Sequence, residues 1–234
     1  MKHPFHFKLQ LAPFFPYLHP LLTPTFPRCL WTGDLSQPEI CLTFDDGPHP
    51  DYTLELLKVL DSYQIPASFF WLGQWVERYP EIAQAVYQRG HWIGLHGYQH
   101  QSFPFLTEIE LKTSLEKTQD AILKACGLEP EFVLDVRPPN GFFLPQTLTL
   151  LTSWGYRPVM WSVVPEDWVH PGVDVVTHRV IKQTRNGSII VLHDGDHGGK
   201  DVAKTAEKII PKLLEQNYRF VTIPKFWQSA KPVI

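Results

Sequence analysis

The run Thr43-Phe44-Asp45-Asp46-Gly47-Pro48 places two adjacent carboxylates at the end of an apolar stretch and directly before a turn. Gly-Pro redirects the backbone, so the acids sit where a strand stops, and parallel-strand enzymes keep their reacting groups at such strand ends. In a regular strand Asp45 and Asp46 point to opposite faces, and a Gly-Pro break can relax that alternation so that both serve one site. Asp-Asp-Gly-Pro also occurs as a plain turn, so these acids gain meaning from the other residues around them.

His96 and His100 are four apart with Gly97 between, a spacing that lets two imidazoles meet one cation if the segment makes a single helical turn. Asp46 or Asp45 then completes a two-histidine, one-carboxylate set with positions left for water, as a hydrolytic Zn²⁺ site requires. On its own, the same spacing also describes two exposed loop histidines. Arg137 enters the loop Pro138-Pro139-Asn140-Gly141, stiff enough to aim a backbone N–H at a developing oxyanion. Asp167 is a candidate to pair bidentately with Arg137 and fix the guanidinium beside an acid of the first strand. His193 ends the apolar run 189–192 and, with a pKa class near neutrality, is placed as a proton donor. Its plainer alternative is a core histidine. His91 reads as structural, and His49, His170 and His197, in loops of the top face, as surface residues with the lining of subsites as their lesser alternative.

Something must bring these groups together. Apolar, β-rich runs predict strands over 40–44, 67–72, 92–95, 132–136, 158–161, 188–192 and 219–223. Helical period predicts helices over 53–63, 76–89, 107–125, 145–154, 173–184 and 202–216. The third helix opens on Thr107 with Glu110 three residues on, a capping box, and closes at Gly127. Alternating β and α elements imply parallel strands with right-handed crossovers, hence an α/β barrel or an open doubly wound sheet. Seven strands favour a barrel with one unit missing or distorted. In a barrel all C-terminal strand ends open on one face, so the ionisable groups at five of the predicted strand ends would converge there.

Composition narrows the partners. A chain of 234 residues accommodates one α/β domain, and a net charge of −3 with a pI near 6.4 offers no basic footprint for nucleic acid. Three cysteines without metal-ligand spacing indicate neither a disulfide framework nor a zinc knuckle, and Cys41 reads as a buried apolar residue. Eight tryptophans suit sugar-stacking walls and core filling equally. Residues 1–30 are apolar but broken by Pro4, Pro13, Pro16, Pro20, Pro24 and Pro27, so no spanning helix or ordinary signal peptide is expected there. A proline-rich arm laid over a domain of residues 31–234 is the expectation, with a membrane-surface anchor as its lesser alternative.

Taken in order, Thr43 to Pro48, His96-x-x-x-His100, Arg137-x-Pro139-x-Gly141, Asp167-Trp168 and Leu192-His193-Asp194 resemble the five motifs of the NodB-homology polysaccharide deacetylases, carbohydrate esterase family 4. The likeness runs from about Pro27 to Pro224. It implies a single-domain, distorted (β/α)7 barrel. It also implies a divalent metal, Zn²⁺ above all but Co²⁺ or another transition metal as well, held by Asp46, His96 and His100. Asp45 would be the catalytic base, His193 the acid, and Arg137, tethered by Asp167, would orient Asp45. The Asn140 N–H, in the loop of Pro139 and Gly141, would stabilise the oxyanion, and Trp168 and Val191 would flank the acetyl methyl. Gly97, Asn140, Val164 and Val191 depart from the family pattern. The implied reaction is release of acetate from N-acetylglucosamine units of peptidoglycan or a chitin-like glycan. Its alternatives are O-deacetylation of an acetylated polysaccharide and a catalytically idle glycan-binding module. A cell-wall substrate would imply export, in tension with the absence of an ordinary signal peptide.

Overall fold

Residues 15–229 are described by the structure, a computed structural model. Its centre is β1, Glu39–Asp45, whose Ile40-Cys41-Leu42-Thr43-Phe44 run is buried throughout. A strand so apolar on both faces suits the middle of a parallel sheet covered by helices. β1 pairs on one edge with β2 (Ser68–Trp71) and on the other with β6 (Ile189–His193) and, at its start, β7 (Arg219–Phe220). Beyond β2 follow β3 (Trp92–Leu95), β4 (Asp135–Val136) and β5 (Arg157–Pro158), every pairing parallel. The sheet curls, and the chain beyond β5 reaches β6 through a Val163–Ile190 bridge. The result is the expected distorted barrel, in one domain, with a seam held by single bridges.

Helices α2 (Tyr52–Tyr63), α3 (Gly73–Arg78), α4 (Pro80–Gln88), α5 (Glu108–Cys126), α6 (Pro145–Ser153), α7 (Val173–Gln183) and α8 (Val202–Glu215) follow the strands, after a first helix, α1 (Phe15–Thr25). The predicted helix over 76–89 is two helices. Pro80 has no N–H to continue a helix but fits the first turn of a new one, and the backbone breaks at Tyr79. On α5 the capping box forms as expected: Thr107 accepts the Glu110 N–H, Glu110 accepts the Thr107 N–H at 2.8 Å, and Gly127 closes the helix at φ +67°. The predicted strands over 132–136 and 158–161 shrink to two residues each, because Pro130–Phe132 folds as a 3₁₀ turn and past Pro158 the chain keeps only isolated bridges, Val159 to Leu30 and Val163 to Ile190. At the C-terminal end β7 stops at Phe220 and α9 (Ile223–Ser229) begins where strand was expected.

The predicted arm lies partly outside the described residues. Within them, α1 leads into Phe26, which packs with Leu22 on Cys29, Trp31, Leu148 and Met160. Among the described residues no helix is long and apolar enough to cross a membrane. All three cysteines are buried and unpaired.

Candidate active site

At the end of β1 the chain does what the Gly-Pro turn allows. Asp46 takes a left-handed conformation, φ +78°, so that both it and Asp45 line one open cavity at the C-terminal rim of the sheet. His96, just past β3, and His100 line the same cavity. Their Nε2 atoms each lie 3.4 Å from Asp46 Oδ1, and the ligand atoms of the three residues fall within 4.8 Å of one another.

The histidines do not sit on the predicted helical turn. Residues 96–100 form an irregular bend in which Gly97, at φ +85°, reverses the backbone and brings the two rings to 5.3 Å. A Cβ at Gly97 would meet Gln99 O at 3.2 Å, so glycine suits the bend sterically as well as conformationally. The loop is steadied from outside: the Ser114 hydroxyl of α5 accepts the Tyr98 N–H at 2.8 Å, and α3 donates Gly73 N–H to Gly97 O.

The donor set fits a divalent cation. His96 Nδ1 is hydrogen-bonded to Arg137 O at 2.7 Å, which directs its Nε2 lone pair at Asp46. Burial alone would raise Asp46, but the close His96 imidazole and the positive potential of His193, His96 and His100 hold it well below the usual carboxylate range. Burial, with His96 beside it, pushes His100 down to about 4. An ionised carboxylate and a neutral imidazole are the protonation states in which these groups bind metal. Asp46 Oδ1 is buried and accepts no hydrogen bond among the described residues. Buried carboxylate oxygens without a partner are rare and costly, and a cation at this point would satisfy it.

Asp45 has a different environment. Its Oδ1 accepts from Arg137 Nη1 at 2.6 Å, and the carboxylate borders the cavity. Arg137 is fully buried, donates also to Thr43 Oγ1 at 2.8 Å and Met160 O at 3.0 Å, and lies 4.0 Å over the Phe70 ring. Desolvation lowers its pKa while Asp45 opposes that shift.

The pairing expected between Asp167 and Arg137 does not form. Asp167 instead accepts the His193 N–H through Oδ2 at 2.7 Å and meets His193 Nδ1 through Oδ1 at 2.8 Å. It sits in a 3₁₀ turn, Asp167–Val169, beside the end of β6 rather than beneath β4. Burial would lower the His193 pKa, but the Asp167 charge and hydrogen bond outweigh it and hold it up at about 10. With Nδ1 engaged, Nε2 is the ring nitrogen left for the cavity that His193 lines.

The Arg137 loop closes one wall. Asn140 adopts φ +59°, which asparagine tolerates, and its amide donates to Ser102 Oγ at 2.9 Å, tying this loop to the one after His100. Pro139 is buried behind it, and a Cβ at Gly141 would lie 2.5 Å from Trp161, so the loop packs on that ring only as glycine. Val191 packs with Val164, Trp161 and Trp168 to make an apolar slot, and Trp168 meets His193 edge-on at 5.2 Å. Several contributors carried no sequence signal: Ser102, Ser114 and Trp161 act through folded contacts. His197, expected at the surface, is exposed yet lines the cavity, and His49 borders a neighbouring one. His91 is buried and accepts the Ala67 N–H at 3.1 Å, a structural role as expected.

A polysaccharide deacetylase family model matches residues 32–159. The peptidoglycan-N-acetylglucosamine deacetylase of Bacillus cereus is 34% identical over 202 residues, covering 86% of this chain and 72% of that protein. A chitooligosaccharide deacetylase of Sinorhizobium fredii is 32% identical over 199 residues, 80% of this chain and 91% of that one. The crystal structure of the Bc1960 peptidoglycan N-acetylglucosamine deacetylase, in complex with 4-naphthalen-1-yl-N-oxidanyl-benzamide, superposes with a TM-score of 0.82 at 30% identity, over 86% of this chain and 94% of that one. Sequence, fold and the order of motifs around the rim agree, and the chain belongs to the polysaccharide deacetylase family.

Proposed function

We propose that this chain is a metal-dependent hydrolase that cleaves the acetamide of N-acetylglucosamine units in a glycan of peptidoglycan or chitin type, releasing acetate. The observation that carries this reading is the buried, unpartnered Asp46 Oδ1 with two imidazole Nε2 atoms 3.4 Å away. Asp46, His96 and His100 would hold one divalent cation, and their nitrogen and carboxylate donors suit Zn²⁺. When bound, such a cation supplies Lewis acidity, which acidifies water and polarises a carbonyl.

The remaining steps belong to side chains of the protein. Asp45, one oxygen anchored by Arg137, takes a proton from the attacking water with the other. As the water oxygen bonds to the carbonyl carbon, negative charge develops on the carbonyl oxygen, to which the Asn140 backbone N–H would donate. His193, oriented by Asp167, gives the Nε2 proton to the nitrogen as the carbon–nitrogen bond breaks, so that an amine leaves and acetate remains. The slot of Val191 and Trp168 takes the acetyl methyl, and Trp161 forms the adjoining wall.

The test is acetate release from N-acetylated and O-acetylated oligosaccharides by the zinc-loaded chain, by the chain after chelation, and after zinc is returned. Release from the N-acetylated glycan that chelation abolishes and zinc restores supports the proposal. Release from the O-acetylated glycan alone assigns an esterase, and metal-independent release overturns the cation's part.

A further inference from the structure

Asp46 is shared between two cavities. The second is walled by Trp75, Arg78 and Tyr79 at the junction of α3 and α4, with His49 and Asp196 opposite. The proline break at Tyr79-Pro80 shapes this wall, because it ends α3 on Arg78 and leaves the rings of Trp75 and Tyr79 near parallel, 21° apart with centroids 6.4 Å apart. The Arg78 guanidinium lies 5.7 Å from the Trp75 centroid and 5.5 Å from that of Tyr79.

Arg78 is held by ring faces alone. Arg89, Arg137, Arg157, Arg179 and Arg219 each meet a carboxylate, whereas Arg78 has no ion pair or hydrogen bond among the described residues. The carboxylate in the same cavity, Asp196, is engaged with His49 Nε2 at 3.5 Å. Beside the two rings and without a carboxylate of its own, the exposed guanidinium keeps its planar fork of donors free for a bidentate anion, most favourably a carboxylate. The cavity also borders Asp46, a ligand of the proposed cation, and so lies next to the cavity of the reacting groups.

We propose that this cavity receives the sugar next to the one that is deacetylated, and that Arg78 selects a carboxylate on that sugar, such as the lactyl carboxylate of a muramic unit. This deepens the deacetylase reading and rests on it for the placement of the chain. Trp75 and Tyr79, which wall the same cavity, offer apolar surface to the sugar ring. A glycan of alternating N-acetylglucosamine and muramic units is therefore preferred to a uniform chitin oligomer.

Three tetrasaccharides test this on the zinc-loaded chain: chitotetraose, the alternating glucosaminyl–muramyl tetramer with free lactyl carboxylates, and the same tetramer with those carboxylates amidated. The acid form is expected to exceed its amide about tenfold in kcat/KM, the worth of one good charged hydrogen-bond pair. Arg78→Gln should bring that ratio to one, while Arg78→Lys should retain part of the preference. A ratio of one in the parent chain, or a ratio untouched by Arg78→Gln, overturns the inference. Calorimetric binding of the N-deacetylated acid tetramer needs no turnover and should weaken about tenfold in Arg78→Gln. That arm separates the two readings, since absence of acetate with Arg78-dependent binding would strike the deacetylase proposal and leave this one standing.

Discussion

The two ends of the barrel each bury an aspartate against an arginine, and the pairs are built for different purposes. At the N-terminal end Asp135 is saturated: Trp92 Nε1 and Trp227 Nε1 donate at 2.8 Å, and Arg157 adds two contacts at 3.0 Å. At the C-terminal end Asp45 accepts from Arg137 through one oxygen and borders an open cavity. Every acceptor of Asp135 is spent on holding strands and α9 together. A carboxylate with no remaining acceptor cannot take a proton from water, whereas one fixed through a single oxygen can. Histidine divides the same way. His91 uses Nδ1 to hold the Ala67 N–H at the bottom, while His96 and His100 turn Nε2 toward a shared carboxylate at the top.

The sharpest way to break this comparison is to neutralise each aspartate in turn. Asp45→Asn should cut acetate release by about 10²–10⁴-fold, the usual worth of a positioned general base, while zinc content stays at the parent level. Asp135→Asn should leave turnover of the folded enzyme unchanged and lower stability by roughly 3 kcal/mol, which shifts the melting midpoint by about 6–12 °C. Asp45→Asn also loses stability, because Arg137 keeps a buried charge without its counter-ion, so the two pairs are separated by activity and not by melting. Equal activity losses in both variants would dissolve the distinction.

Asp167→Asn comes next in size. Asp167 holds the His193 pKa up at about 10 against the downward pull of burial. Without the carboxylate, burial dominates and His193 loses its proton at lower pH. The alkaline limb of kcat/KM should therefore move to lower pH by more than about one unit, with activity near neutrality down about 10–100-fold. An unmoved alkaline limb would remove Asp167 from the role of tuning the acid.

The smallest effect is at His91 and concerns stability alone. Burial lowers its pKa to about 4, while the unfolded chain titrates near 6.5. Between these values the unfolded state binds the extra proton, so His91 stabilises the fold above pH 6.5 and that contribution is lost as pH falls toward 4. The full change is roughly 3 kcal/mol. Asn at this position keeps an acceptor for the Ala67 N–H but does not titrate, so the stability difference between parent and His91→Asn should vary with pH across that window. A constant difference would contradict the buried neutral imidazole.

Much of the site was legible before any coordinates, because its residues fall at the ends of apolar runs and parallel strands must open them on one face. Asp45, Asp46, His96, His100, Asn140, Trp168, Val191 and His193 do line one cavity. What misled was pairing across the rim. Arg137 and Asp167 are complementary in charge, but β4 and β6 lie on opposite sides of the sheet path, and the 3₁₀ turn carries Asp167 to His193 instead. Local pattern also overstated β4 and β5, where β-forming residues such as Val133 and Met160 leave the ladder after a turn or bridge. Helix α5 was legible to its caps because the capping box and Gly127 are local chemistry. The Trp75–Arg78–Tyr79 wall left no signal at all, since it depends on where Pro80 breaks a helix that periodicity alone runs together.

The central claim, that three residues from distant parts of the chain share one cation beside Asp45, is tested most directly by anomalous diffraction at the zinc edge on crystals of the zinc-loaded protein. The account predicts a single strong peak about 2.0–2.2 Å from an Asp46 oxygen and from the Nε2 atoms of His96 and His100. A chain that takes up no zinc, or a peak coordinated by other residues, would contradict it.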